Sequence, residues 1–283
     1  MRFERYADIN AFSDDVLEIL LENEVQNNLP VSFINNSLAS DTSKWLLGAV
    51  KDDHGSILLV VARTPPFNIV LYETRNIRND AAVKLLSDEL KSMEHMVPGV
   101  VAAQGLAQRF ADEYTQNGYS LHLSMNIMRL DIVTDIAKAP GRYRTLREED
   151  LYFVPFWERA FSEDCGTEAY EIKTIVERLR GRLGKDTHYI WVNGHPVSQA
   201  VHGRSTQNGA VVNMVYTPPH YRNKGYASSV VAELSVLLLE RGNKFCCLFA
   251  DAANPISCGI YRKIGYRDLC VYDELVFSPI QGR

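Results

Sequence analysis

The run Arg222-Asn223-Lys224-Gly225-Tyr226-Ala227 places two cations and a glycine where the chain passes from a strand into a helix. That composition suits an anion. Backbone N–H groups in such a loop, beside the positive end of a helix, hydrogen-bond phosphate oxygens. Gly225 lets the main chain come close, and Arg222 and Lys224 add charge. The strand before the run is Val211-Val212-Asn213-Met214-Val215-Tyr216-Thr217, apolar and rich in β-branched residues. Pro218-Pro219 end it, because proline has no N–H for a ladder. After it, Ala227, Val230, Val231, Leu234, Leu237 and Leu238 recur at helical spacing. Taken alone, the run reads equally as an ordinary strand–turn–helix junction with solvated basic side chains, since short glycine motifs recur by chance.

A second strand and helix follow. Phe245 to Ala250 is an apolar strand, and Asn254-Pro255 opens a helix as N-cap and first helical residue. That helix carries Ile256, Ile260, Tyr261 and Ile264 and stops at Gly265. Over Val215 to Tyr266 the chain resembles the GCN5-related N-acetyltransferase family. Residues 215–227 fit its Arg/Gln-x-x-Gly-x-Gly/Ala signature, and 254–266 fit its Asn…Tyr-x-x-x-Gly-Phe/Tyr signature.

The resemblance implies transfer of an acetyl group from acetyl-CoA to an amine by direct attack. Main-chain amides of Arg222, Asn223, Lys224, Gly225, Tyr226, Ala227 and Ser228 would take the cofactor's pyrophosphate. Val215 and Thr217 would pair with its pantetheine amides, which requires the two motif strands to splay apart; a closed sheet is the alternative. Asn254 would reach the pantetheine arm, or only cap its helix. Tyr261 matches the family's general acid and would protonate the leaving thiolate, as a phenol with a pKa near ~10 can; otherwise it packs in the core. Many family members carry a glutamate on the first motif strand as base, but Val211 to Met214 holds no carboxylate. The base stays open among Glu163, Asp164, His202 and a water chain. Trp157, Phe153, Phe156 and Phe161 read as mostly core, in a region that often lines the family's acceptor pocket. His220 reads as exposed.

The elements that must position these residues follow from the pattern. Ala137-Lys138-Ala139-Pro140-Gly141 reads as a linker. Beyond it, a strand at Tyr143–Thr145, helices at Glu149–Phe161 and Tyr170–Leu183, and a hairpin of Thr187–Val192 with Val197–Gly203 across Asn193-Gly194 precede the motif. A final strand spans Val271–Phe277. This β-α-α-β-β-β-α-β-α-β order is the family's fold, an α/β architecture with a mixed, mostly antiparallel sheet flanked by helices. The first half suggests helices at Asp14–Asn23, Ala81–Met96 and Gln104–Asn117. Its expected strands are Trp45–Val50, Ile57–Ala62, Asn68–Glu73, Val97–Ala102 and Leu121–Leu130. The expectation is two tandem domains: 1–136, a degenerate copy of the fold without a CoA loop, and 141–283, which holds acetyl-CoA. An unrelated N-terminal α/β cap is the alternative. Val100 to Gly105 has neither the basic residue nor the spacing of a phosphate loop.

Composition narrows the partners. The 283 residues carry a net charge of −5, which implies no broad affinity for nucleic acid or anionic membranes. The N-terminus has no apolar signal core, and no apolar run approaches the ~20 residues that span a bilayer. The five cysteines are odd in number and form no Cys-x-x-Cys, and the seven histidines show no ligand spacing. A reduced cytoplasmic protein without a metal site is expected. The leading reading is therefore a cytoplasmic N-acetyltransferase acting on a small-molecule or peptide amine. Two alternatives remain: a non-catalytic acyl-CoA sensor or interaction protein, and aminoacyl transfer from charged tRNA, which acidity and the intact loop disfavour. Acceptor, acyl chain length and oligomeric state are not written in the sequence.

Overall fold

The protein is described by a computed structural model covering residues 1–36, 42–93 and 96–278. It divides into two compact units: Met1–Ile127 with Leu269–Arg283, and Met128–Asp268.

The first unit runs β1 (Arg2–Arg5), α1 (Ile9–Glu22), α2 (Asn28–Asn36), β2 (Leu46–Lys51), β3 (Ile57–Arg63), β4 (Ile69–Glu73), α3 (Asp80–Ser92), β5 (Gly99–Ala103), α4 (Gln104–Tyr114) and β6 (Tyr119–Leu130). The remainder runs β7 (Arg142–Thr145), α5 (Val154–Asp164), α6 (Ile172–Arg180), β8 (His188–Asn193), β9 (His195–Ser205), β10 (Gly209–Tyr216), α7 (Tyr226–Glu240), β11 (Phe245–Asp251), α8 (Pro255–Ile264) and β12 (Arg267–Phe277). The two halves repeat one order, β-α-α-β-β-β-α-β-α-β. Each unit is a mostly antiparallel sheet with helices against it. In each, one parallel pair interrupts the antiparallel run: β4 with β5, and β10 with β11.

Two elements were not expected from sequence. β1 is four residues with two arginines and a glutamate, and it pairs with β2 from Arg2↔Lys51 to Arg5↔Gly48. α2 contains Pro30 and three asparagines, a composition of weak helix formers. The helix α1 begins at Ile9, before the expected Asp14, because the Asp8 side chain accepts from Asn10 N and Ala11 N as an N-cap. α3 ends at Ser92 rather than Met96; of that expected last turn, residues 94–95 lie outside the described residues.

Two segments sit differently from expectation. Residues 137–141, expected as a linker, pack within the second unit. Ala139 N donates to Ser229 Oγ at 2.8 Å, Trp191 Nε1 donates to Pro140 O at 3.1 Å, and Lys138 pairs with Glu233 at 2.5 Å. From Leu269 onward, β12 groups with the first unit, where Tyr272↔Ala103 through Val276↔Gly99 pair antiparallel with β5.

The core of the second unit forms around α7. Val230, Val231, Leu234 and Leu238 are buried against Cys246, Leu248 and Ala250 of β11, Ala210 and Val212 of β10, and Tyr189 and Trp191 of β8. Each of the buried valines and leucines contributes about 1.5–3 kcal/mol by leaving water. The aromatic cluster expected to be mostly core on α5 is not. Phe156 is exposed, and Phe153, Trp157 and Phe161 are partly buried. Val154, Pro155 and Glu158 face inward instead; Glu158 is buried because Arg182 pairs with it at 2.7 Å.

His188, at the start of β8, is fully buried. Its Nε2 lies 3.3 Å from Gln199 Oε1 and its Nδ1 has no partner. Burial, with the Arg182 charge second, lowers its pKa from 6.5 to about 3; Gln199 and Asp150 oppose the shift. The unfolded chain therefore binds a proton that the folded chain refuses between about pH 3 and pH 6.5. Stability rises with pH across this window and is lost as pH falls through it. We expect the melting temperature to drop between pH 7 and pH 4, and to drop less in His188→Gln. Parallel slopes for the two proteins would assign the acid sensitivity to other groups.

Candidate active site

The site begins where β10 and β11 part. Their parallel register holds at Gly209↔Phe245, Ala210↔Cys246 and Val211↔Cys247 and no further. On the other side, β10 pairs with β9 at Val212↔His202 and Asn213↔Val201, then resumes only at Tyr216↔Gln199. Met214 sits in that bulge with φ +51°, a conformation rare for a residue with a side chain. Two contacts hold it: Gln199 Nε2 donates to Met214 O at 3.4 Å, and Ser198 Oγ donates to Tyr216 O at 3.1 Å. A bulge of this kind re-aims a strand and leaves ladder groups unpaired. Here it leaves Met214 and Val215 without register partners on either side. Nothing in the apolar pattern of 211–217 marks the bulge in advance.

The parting opens a cleft of about 770 Å³, within the usual range for small-molecule sites. Val215 and Thr217 line one wall. Arg222, Asn223, Gly225, Tyr226, Ala227 and Ser228 line one end, and Asn254 and Tyr261 line the α8 side. Of the expected cofactor contacts, Lys224 alone does not line it; its Nζ lies 5.9 Å from the Tyr221 ring. Asn223 has φ +63° and Gly225 φ +78°, and such turns cup successive N–H groups around an anion. Gly225 is the N-cap of α7 and brings no side-chain acceptor. The first-turn N–H groups of Tyr226, Ala227 and Ser228 therefore lack a cap, as helix N-termini do without one. Ser229 fixes the loop from behind, donating to Gly225 O at 2.9 Å while accepting from Ala139 N.

Arg222 is already engaged. Its Nε donates to Thr217 O at 2.9 Å, and its guanidinium pairs with Asp164 at 2.7 Å. Asn254 does cap α8, its side chain accepting from Ser257 N at 3.0 Å. Gly265 ends that helix at φ +114°, where a Cβ would meet Ile132 O at 2.9 Å.

Tyr261 is 7% exposed. Burial raises its pKa above 10, a hydrogen bond with Ser257 opposes this, and the neighbouring Cys165 and Cys258 thiols add to the rise. The phenol stays protonated at neutral pH and can donate. Cys165, also lining the cleft, is pushed up by burial and by the carboxylates of Asp164 and Asp251.

The base candidates separate. Glu163 is exposed, pairs with Arg159 at 3.0 Å and does not line the cleft. His202 does not line it either; it is held by Ser205 Oγ at 3.0 Å, and burial lowers its pKa. Asp164 lines it, and so does Asp251, which sequence reasoning missed. No motif marks it; it lines the cleft because β11 ends there, and α/β clefts form at the C-terminal ends of parallel strands.

Comparison with known proteins follows the same geometry. Residues 192–275 match the FR47-like protein family model. The chain is similar in structure to a GCN5-related N-acetyltransferase from Sphaerobacter thermophilus, with a TM-score of 0.66 at 16% identity, covering 97% of this chain and 95% of that one. The fold is that of the GCN5-related N-acetyltransferases. A GNAT-family acetyltransferase from Colwellia psychrerythraea gives 0.62 at 9% identity, over 98% and 100% of the two chains. A tandem GNAT protein from the clavulanic acid biosynthesis pathway gives 0.61 at 13% identity, over 99% of both. The tandem arrangement of the fold thus spans the whole chain. A sequence search of curated proteins finds no match.

The loop before α7 makes a backbone prediction. A Cβ on Gly225 would find only Ala139 Cβ, at 3.7 Å, so space does not demand glycine there; the positive φ does. Gly225→Ala should lower stability by roughly 1–2 kcal/mol, read as a lower denaturant midpoint at unchanged slope. An unshifted midpoint would mean that the loop relaxes to a negative φ.

Proposed function

We propose that the protein is an acetyl-CoA-dependent N-acetyltransferase whose second unit holds the cofactor and whose acceptor is a primary amine. The observation that carries this reading is one cleft shared by parted strands, an uncapped helix N-terminus and a buried, protonated tyrosine. The bound thioester supplies the acyl group. The chain's residues divide the remaining work.

The anionic end of the cofactor goes to the N–H groups between Arg222 and Ser228, whose loop turns suit an anion. Val215 and Thr217 would hold the pantetheine amides, along the stretch where β10 has parted from β11. A main-chain N–H at the Met214 bulge, where the ladder has no register partner, would polarise the acyl carbonyl. The ammonium first releases a proton to solvent; the free amine then attacks, the C–N bond forms and the C–S bond breaks. Tyr261 would give its proton to the departing sulfur, and the proton shed by the new amide nitrogen would return to the Tyr261 oxygen through water. Cys165 supports direct attack, because a thiol with a raised pKa is a poor nucleophile and unsuited to an acyl-enzyme. The cysteines form no disulfide, which fits the cytoplasm in this reading. Among the described residues, no helix is long and apolar enough to cross a membrane.

The first unit repeats the fold, and among its described residues the matching helix N-terminus is already capped. The N-cap of α3 is Asn79, whose side chain accepts from Ala82 N. Asn79 N itself donates to the Glu73 carboxylate at 2.6 Å, and Glu73 also takes the Arg109 guanidinium. An internal anion fills the place a phosphate would need. We assign residues 1–136 no cofactor.

Calorimetric titration of acetyl-CoA into the wild type should give saturable one-to-one binding that Arg222→Glu/Gly225→Asp abolishes. Absence of wild-type binding would end the reading. In a panel of spermidine, glucosamine, lysine and a lysine-containing peptide, Tyr261→Phe should lower kcat about a hundredfold with acetyl-CoA affinity unchanged. Undiminished turnover would remove Tyr261 from the mechanism. Binding without turnover on any amine would favour an acyl-CoA sensor.

A further inference from the structure

Arg222 occupies the cleft that it is expected to serve. Three groups hold its guanidinium there: the Thr217 carbonyl at 2.9 Å, the Asp164 carboxylate at 2.7 Å, and the Tyr216 ring, 5.8 Å from its centroid. Asp164 is the last residue of α5, so this ion pair ties that helix end to the loop before α7. Thr217 is the residue whose main chain the cofactor reading gives to pantetheine. The cleft thus has one of its own side chains lying against a group given to the cofactor.

We propose that Asp164 is the carboxylate that binds the acceptor's ammonium, and that Arg222 masks it until the cofactor draws the guanidinium away. The proposal rests on the acyl-CoA reading above. A diphosphate offers Arg222 a stronger partner than one half-exposed carboxylate, since guanidinium groups bind phosphate oxygens in a bidentate, charge-assisted way. When Arg222 turns to it, the Thr217 carbonyl is released. Asp164 loses the one ion-pair partner it has among the described residues. It then faces the cleft as an uncompensated anion, close enough to the Cys165 thiol to raise its pKa, as Asp251 also does. Asp164 and Asp251 both line this partly enclosed cleft and both act on Cys165, and like charges so placed repel each other unless a cation joins them. An ammonium satisfies both and arrives beside Tyr261, whose pKa Cys165 also perturbs. The acceptor class is therefore an amine that binds as its cation.

The test uses coenzyme A titrated into the wild type, Asp164→Asn and Glu163→Gln, followed by turnover with the panel amine that reacts fastest. Removing the mask's anchor should tighten coenzyme A about two- to fivefold, the worth of a half-exposed ion pair. Glu163→Gln removes the same charge one residue away and should leave the affinity unchanged. In Asp164→Asn, KM for the amine should rise about tenfold while coenzyme A binds more tightly. Opposite signs on the two substrates separate this from a damaged fold, which would weaken both. Equal tightening in the two variants, or an unchanged amine KM, would overturn the proposal while the acyl-CoA reading stands. A wild type that binds no coenzyme A removes both.

Discussion

The site depends on two parallel strands failing to stay together. β10 and β11 are in register for three residues and then separate, which a sheet does only if the lost ladder bonds are avoided or replaced. The bulge at Met214 does this from the β9 side. It breaks the β9–β10 register between Asn213 and Tyr216 and bends β10 away from its parallel neighbour. Side chains of β9 stabilise the bent state: Gln199 holds the Met214 carbonyl, and Ser198 holds the Tyr216 carbonyl and the Thr217 hydroxyl. The cleft is a product of strand geometry rather than of missing side chains.

The repeated fold shows how little separates an anion site from a filled one. In both units a strand leads through a short loop into a helix beside a parallel partner. In the second unit the helix begins at Tyr226, with no side-chain cap and two left-handed residues, Asn223 and Gly225, before it. In the first, Asn79 caps the helix and Glu73 takes both a loop N–H and Arg109. The physics is the same, a helix N-terminus seeking negative charge. The first unit supplies the anion from its own chain, whereas the second leaves the place for a ligand.

Charge is distributed within the second unit's cleft in a way that suits proton transfer without a covalent intermediate. Burial holds both the Tyr261 phenol and the Cys165 thiol in their protonated forms. One is then an acid in waiting and the other is inert. Asp164 and Asp251 give the same region its negative lining, and Arg222 offsets the first of them.

Local pattern determined much of this protein. The strand–loop–helix at 211–238 and the Asn254–Gly265 helix with its caps could be read directly, because glycine, proline and asparagine signal backbone conformations independently of distant contacts. The order of elements in the second half was legible for the same reason. The weaker elements were not: β1 and α2 have composition against them and exist only because the sheet and core accept them. Nor was the fate of the final strand, which pairs with β5 through contacts more than 160 residues apart in register, as Tyr272↔Ala103 illustrates. At the site, the types and spacing of Arg222 to Ser228 and of Tyr261 were enough to suggest anion binding and acid chemistry. Tertiary structure alone decided that Met214 would bulge, that Asp251 would line the cleft, that Glu163 and His202 would not, and that Arg222 would meet Asp164. Those outcomes depend on which strand ends and helix ends converge in space, and spacing along a chain does not encode that convergence.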